Sequence, residues 1–389
     1  MLPLRLIRRN LFKHGIRSTL TVGSIAIAVF LLCVLRALVV SLDAGVREAA
    51  INRLIVQSSV SLFVYLPQSY EPKLREVEGV EDVVSWNWFG GYYQDQSNFF
   101  GQFATDADAL LTIYPEIEII DGSREAFVND RRACLIGEAT AKKFGFEVGE
   151  TVPIVGTLFP RLDKTPWEFV VGGIYRSKKS TVDNATLFFH FDYLEKALES
   201  GEAGGPQGVG LYVMKIRPGA DTTAIMSETD ALFENGPQRV QTTTEAEFQA
   251  QFVSMVGNVP LFVASIGTGV LIAILLASLN TMLMAAREQT RDVGVLKALG
   301  FTDGTVFGVM LLQSLFLCGT GGLIGLFLAK LFEPVFQATL GTYFPGYAVT
   351  GEILITGLVL TLGVGLVAGI APALAARSLN PVSALRATA

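Results

Sequence analysis

Four stretches of the chain contain no aspartate, glutamate, lysine or arginine: 18 residues at Ser18–Leu35, 39 at Phe248–Ala286, 25 at Thr305–Ala329 and 24 at Ile353–Ala376. A membrane-crossing helix needs about 17–25 mostly apolar residues, so each stretch is long enough to span once. Only 17% of the 389 residues are charged and the mean hydropathy is +0.45. Soluble domains carry roughly 25% charged residues, and the shortfall here sits in those four runs. This pattern rules out a soluble enzyme, a disordered chain and a disulfide scaffold. The expected fold is a membrane protein: four transmembrane α-helices with a large α+β extracytoplasmic domain between the first and the second.

The first run follows Arg5, Arg8, Arg9, Lys13 and Arg17. A basic leader would also suit a secretory signal, but a signal core is shorter and is followed by a small-residue cleavage site. This run continues through Arg36 into LVVSLDAGV, so a retained anchor helix is expected. The N-terminal 17 residues hold five Lys/Arg, Arg287–Asp303 holds three and the tail after Ala376 two, against three acids. Segment 41–250 holds 18 basic and 31 acidic residues, a net of −13. Short loops rich in Lys/Arg stay in the cytoplasm, so both termini and the loop between the second and third spans are expected inside. The predicted layout is a cytoplasmic N-terminus (1–17), a first span (18–40), an external two-part domain with its stalk (41–250) and a second span (256–286). A cytoplasmic loop (287–303), a third span (304–329), a short external loop (330–352), a fourth span (353–376) and a tail (377–389) complete it. The acidic balance averages two oppositely charged compartments and says nothing about nucleic acid; the spans make the lipid membrane a partner, and no nucleic acid is expected.

Chemistry has little material in the outer segment. The chain has two histidines, His14 and His190, and three separated cysteines, Cys33, Cys134 and Cys318. No metal-ligand spacing, catalytic motif or cofactor signature occurs, so no catalytic, cofactor or metal residues are expected. The segment reads instead as structure. Val60–Tyr65, Glu71–Val77 and Val80–Trp88 form a strand–helix–strand pattern, as do Leu211–Ile216, Asp221–Phe233 and Arg239–Thr243. The two units are expected to pair around an insertion, Gly90–Gly210, with strands near Leu135–Ile136, Glu150–Gly156 and Glu168–Tyr175 and a helix at Glu138–Phe144. Glu199–Gly210 is expected to be an exposed loop, and the aromatic run Trp86–Phe100 to pack in the core.

In the spans, Gly321-x-x-x-Gly325 and Gly365-x-x-x-Gly369 predict close helix packing. No ionisable residue lies mid-span, which argues against an ion-coupled carrier. The loop REQTRDVGVLKALGFTD (Arg287–Asp303) is too short for a domain and too patterned for a linker. Val293, Leu296 and Leu299 fall at helical spacing beside Arg287, Arg291 and Lys297. Two readings fit: a basic helix on anionic lipid, or a helix that docks a cytoplasmic partner.

RDVGVLKALG (Arg291–Gly300) resembles the R-E-I-G-x-L-K/R-A-L-G signature of permeases in the MacB/LolC/FtsX superfamily of ABC transporters. RRNLFKHGIRSTLTVGSIAIAV at the N-terminus, PALAARSLNPVSALR (Pro372–Arg386), and LREVEGVEDV with ACLIGEATAKKFGFEVGETVPI in the outer segment are similar to further parts of that family. Asp292 stands where glutamate is usual, keeping the charge. The resemblance implies a permease that works beside a second copy, identical or not, each bound to a cytoplasmic ABC ATPase. It also implies that ATP-driven closure passes through the coupling loop to the outer domain, and it admits a periplasmic adaptor. The ATPase contact would fall on Arg287, Glu288, Arg291, Asp292, Gly294, Leu296, Lys297 and Gly300. No GxxxxGK[ST] phosphate loop occurs in the 389 residues, so nucleotide lacks its usual Gly-rich cradle and a partner chain is expected to supply the ATPase. Export of a hydrophobic or peptide-like substrate is the first expectation. A LolC/LolE-like lipoprotein-release subunit and an FtsX-like regulator of a cell-wall hydrolase stand beside it, with a non-transporting sensor as the contrasting class.

Overall fold

The computed structural model describes residues 15–42, 44–179, 182–255, 259–340 and 346–379. The basic N-terminal stretch before Gly15, Asn258 and the tail beyond Leu379 lie outside the described residues. The chain divides into two units, residues 1–41 with 258–389, and residues 42–257.

Among the described residues, the membrane unit holds four helices long and apolar enough to span: Gly15–Leu42, Val259–Glu288, Asp303–Leu340 and Gly351–Arg377. The third does not stop where the charge-free run ends at Ala329. It continues through Lys330 and Glu333 to Leu340, with Pro334 inside it. This extension is held by its own charges. Lys330 pairs with Glu333, whose buried carboxylate accepts from the Val349 N–H at 3.0 Å. Ile25, Val29 and Cys33 of the first span meet Cys318, Leu326 and Ala329 of the third and Ile353 of the fourth in one apolar core.

Small residues bring these helices together. A Cβ added at Gly321 would lie 2.8 Å from Ile25 Cβ, and one at Gly325 would lie 2.5 Å from the Ala26 carbonyl oxygen. Gly365 and Gly369 face Cys318 and Ser314, where an added Cβ would approach their Cβ atoms to 2.9 and 2.8 Å. The close approach of the third and fourth spans lets Ser314 Oγ donate to the Gly365 carbonyl at 2.7 Å.

The extramembrane unit contains α1 (Ala44–Glu48), β1 (Arg53–Ser58), α2 (Tyr70–Glu76), β2 (Val80–Trp88), β3 (Gly91–Tyr92), β4 (Gln102–Thr105) and α3 (Ala107–Ile113). It continues with β5 (Ile117–Gly122), α4 (Arg124–Asn129), β6 (Ala133–Gly137), α5 (Glu138–Phe144), β7 (Thr151–Gly156) and β8 (Trp167–Ser177). It closes with β9 (Leu187–His190), α6 (Phe191–Glu199), β10 (Leu211–Ile216), α7 (Thr222–Leu232), β11 (Val240–Thr244) and α8 (Glu245–Met255). The strands run β11-β1-β10-β2-β4-β9-β6-β8-β7-β3, with β5 also on β8. β1 is antiparallel to both β10 and β11, and β10 to β2. The two ends of the segment thus interleave as split β-α-β units, while the insertion extends the sheet from β4 onward.

One strand differs from expectation. Val60–Tyr65 is not a strand; β1 lies earlier, at Arg53–Ser58, and is buried along its whole length. Val60–Tyr65 is the more apolar of the two, but it is Arg53–Ser58 that pairs with both β10 and β11. Residues 60–65 turn instead, with the Val64 N–H donating to the Ser61 carbonyl at 3.1 Å, and Phe63 is left 74% exposed. The aromatic run divides. Phe89 and Phe100 are buried, and Trp86 packs against Phe103, Tyr114 and Phe188, whereas Phe99 stays exposed.

At the start of β1, the Arg53 side chain is buried between two carboxylates. Its Nη2 lies 2.6 Å from Glu116 Oε1 and 2.9 Å from Glu245 Oε2. Its Nη1 donates to the Ile113 carbonyl at 3.2 Å and its guanidinium lies 4.2 Å from the Tyr114 ring centre. Glu245 also accepts from the Ala50 N–H at 2.6 Å. The entering strand, the leaving helix α8 and the α3–β5 corner therefore meet on one guanidinium.

A second clamp is more exposed. Glu138 at the start of α5 accepts from Arg176 Nε at 2.7 Å and from Lys142 at 2.6 Å. These hydrogen bonds, Arg176's first, hold its carboxyl down at about 2. A depressed carboxyl stabilises the fold above its unfolded pKa of about 4.3, and that contribution is lost as pH falls through its folded value. The Tm difference between wild type and Glu138→Gln, followed by tryptophan fluorescence, should therefore shrink between about pH 5 and pH 2. A difference constant across that range would refute the role.

Candidate coupling site

The second-span helix ends at Glu288. Gln289 breaks the helical line, and a separate nine-residue helix, Thr290–Ala298, follows before the third span starts at Asp303. The joint is closed from within: Thr290 Oγ donates to the Arg287 carbonyl at 2.7 Å. The far end closes on a glycine. Gly300 has φ +90°, its N–H donates to the Lys297 carbonyl at 3.1 Å, and the Phe301 N–H reaches back to the Leu296 carbonyl at 3.1 Å. That left-handed turn after a helix is where glycine is favoured, because a Cβ is strained there.

The short helix has two faces. Val293 is buried against Val306, Met310, Ala373 and Ala376, and Gly294 is buried beside it. Lys297 also points inward; its side chain is 7% exposed. Its ammonium donates to the Arg377 carbonyl at 2.6 Å and the Leu379 carbonyl at 2.8 Å, and lies 2.9 Å from Asp303 Oδ1. Arg287, Glu288, Arg291 and Gly300 are exposed, while Asp292 and Leu296 are half-buried. Glu288 makes an ion pair with Arg17 of the first span at 2.7 Å.

Of the eight residues predicted for the coupling contact, the outward surface thus holds Arg287, Glu288, Arg291 and Gly300. Gly294 and Lys297 belong to the inward face. Two residues outside the predicted set complete the outward surface: Val295 is exposed and Leu299 is 72% exposed. The signal for them was present, since apolar residues at i and i+4 beside Arg291 share a helix face.

A four-helix membrane unit, an α+β domain inserted between its first two helices and an amphipathic helix joining the second to the third define a membrane permease architecture. Residues 18–232 match the MacB-like periplasmic core domain, and residues 253–381 match the FtsX-like permease C-terminal domain. An uncharacterised ABC transporter permease of Methanocaldococcus jannaschii is 24% identical over 400 residues, covering 97% of this chain and 96% of its own. The macrolide export ATP-binding/permease protein MacB of Sodalis glossinidius is 34% identical over 134 residues, covering 34% of this chain and 19% of that protein. The solved periplasmic region of MacB from Actinobacillus actinomycetemcomitans is 12% identical with a TM-score of 0.39, covering 53% of this chain and 95% of that one. The chain belongs to the MacB/FtsX family of ABC transporter permeases, and its segment between the first and second spans is a periplasmic core domain of the MacB type.

Proposed function

We propose that this permease couples ATP hydrolysis by a separate cytoplasmic ABC ATPase to movements of its periplasmic domain, exporting or extracting a hydrophobic, peptide-like or lipoprotein substrate. In this reading both termini and the helix Thr290–Ala298 face the cytoplasm of the cell (inner) membrane. The permease acts beside a second permease copy, and a periplasmic adaptor can complete the path outward.

The observation that carries the proposal is the two-faced helix at 290–298. On its exposed side Arg291 precedes apolar Val295 and Leu299 at successive spacings of four, with Arg287 exposed at the end of the preceding helix, while Val293 and Gly294 hold its other side against the spans. An apolar strip headed by a guanidinium group is suited to a protein groove. Exposed apolar side chains gain by burial there, and the charges set orientation.

The test separates the two faces. Affinity purification of the chain from its native membrane should recover a P-loop ATPase. Arg291→Glu should weaken that recovery at least about tenfold, the scale of a lost buried charge contact. Full recovery with Arg291→Glu would remove the docking role. Stranding of lipoproteins in the inner membrane on depletion would select lipoprotein release, and altered peptide or drug tolerance would select export.

A further inference from the structure

The ammonium of Lys297 donates to two carbonyls, Arg377 O and Leu379 O, and forms an ion pair with a third acceptor group, the Asp303 carboxylate. Its side chain is 7% exposed, which leaves little of it to meet a partner protein. The two carbonyls lie at the C-terminal end of the fourth-span helix, where unpaired backbone carbonyls concentrate negative charge. The third acceptor opens the third-span helix. One side chain of the short helix therefore ties it to both neighbouring spans. Val293 reinforces the joint through Val306 and Met310 of the third span and Ala373 and Ala376 of the fourth. Above the joint those spans are themselves in contact at Gly365, Gly369 and Ser314.

Resting on the coupling function proposed above, we infer that Lys297 is a positioning residue: it pins the coupling helix to the C-terminal end of the fourth span, so that a push on the outward face moves the third and fourth spans as one body. Its motif neighbour Arg291 has the opposite job. The two basic residues are six positions apart, which places them well over a hundred degrees apart around a helix turning about 100° per residue. One receives the partner and the other passes on its motion.

The test uses the full chain with its co-purified ATPase and spin labels at Ala298→Cys and Ser378→Cys, both exposed and both outside the docking strip. In wild type the 298–378 distance should be narrow and unchanged by a non-hydrolysable ATP analogue, because both labels ride on one body. Lys297→Met removes the charge and all three donors while keeping the apolar stem, so Val293 still packs. That variant should still recover the ATPase, but the distance distribution should broaden and become nucleotide-dependent. Permease-dependent stimulation of ATP hydrolysis should fall with it. Lys297→Arg, which keeps the charge at the carbonyls, should restore a single distance and separates a lost pin from a misfolded bundle. Loss of ATPase recovery in Lys297→Met to the degree seen with Arg291→Glu would make Lys297 a docking residue and overturn the inference. So would an unchanged distance distribution. If the wild-type chain recovers no ATPase, the coupling function itself fails, while the 298–378 distance in the isolated chain still decides whether the pin exists.

Discussion

Arg53→Met should leave the periplasmic domain unfolded or loosely packed, the largest single-residue effect expected in the chain. Arg53 is 1% exposed and bridges Glu116 and Glu245 at 2.6 and 2.9 Å. Methionine fills the stem but removes the charge that both buried carboxylates face. Breaking one buried pair in this way costs about 3–5 kcal/mol, against a total stability of roughly 5–15 kcal/mol for a domain. All three tryptophans, Trp86, Trp88 and Trp167, lie in this domain, so fluorescence of the intact chain in detergent reports on it alone. A melt like that of wild type would show that the buried pairs contribute little.

Glu245→Gln should be far milder, and the sign of its pH dependence follows from the site. Burial raises the Glu245 carboxyl, outweighing the attraction of Arg53, and the nearby Glu116 charge adds to the rise. A carboxyl raised above its unfolded pKa favours the fold most at low pH, and that contribution is lost as pH rises through the folded value. Glu245→Gln should therefore gain in Tm relative to wild type as the solution is taken from acid towards neutral.

The second large effect lies in the membrane. Gly325→Leu should abolish recovery of a monodisperse, folded permease. An added Cβ meets the Ala26 carbonyl oxygen at 2.5 Å, Val29 Cβ at 2.9 Å and the Phe30 amide at 3.1 Å. Two of the three obstacles are backbone, which cannot move aside by changing rotamer. Overpacking typically costs about 1–3 kcal/mol and more where nothing yields. Gly363→Leu is the matched control, since a Cβ there meets nothing within 4 Å. Size-exclusion profiles of the two variants should differ sharply; equal profiles would show that the first and third spans can separate without penalty.

Much of the domain could be read from the chain. The helix at Glu138–Phe144 and the strands at Val80–Trp88 and Leu211–Ile216 have the bounds expected of them, because turn residues sit at their ends and the apolar pattern changes there. The start of the sheet could not be read in that way. VSLFVY is the more apolar run, yet RLIVQS forms the strand, and the choice depends on pairing with β10 and β11, far along the chain. The helix Thr290–Ala298 shows the same limit. Its period picked out one amphipathic helix, but Arg291 and Lys297 are equally basic in sequence, and only the carbonyls at the end of the fourth span draw one of them inward.

Length without charge, and the side on which lysine and arginine gather, are properties of consecutive residues in a fixed solvent slab. The four spans and the insertion between the first two followed from sequence for that reason. Burial of a charge is decided differently, by whether distant groups arrive to satisfy it. Arg53 acquires Glu116 and Glu245, and Lys297 acquires the end of another helix, only once the chain has folded. Tertiary structure alone therefore decided which cations hold the protein together and which stay on the exposed surface.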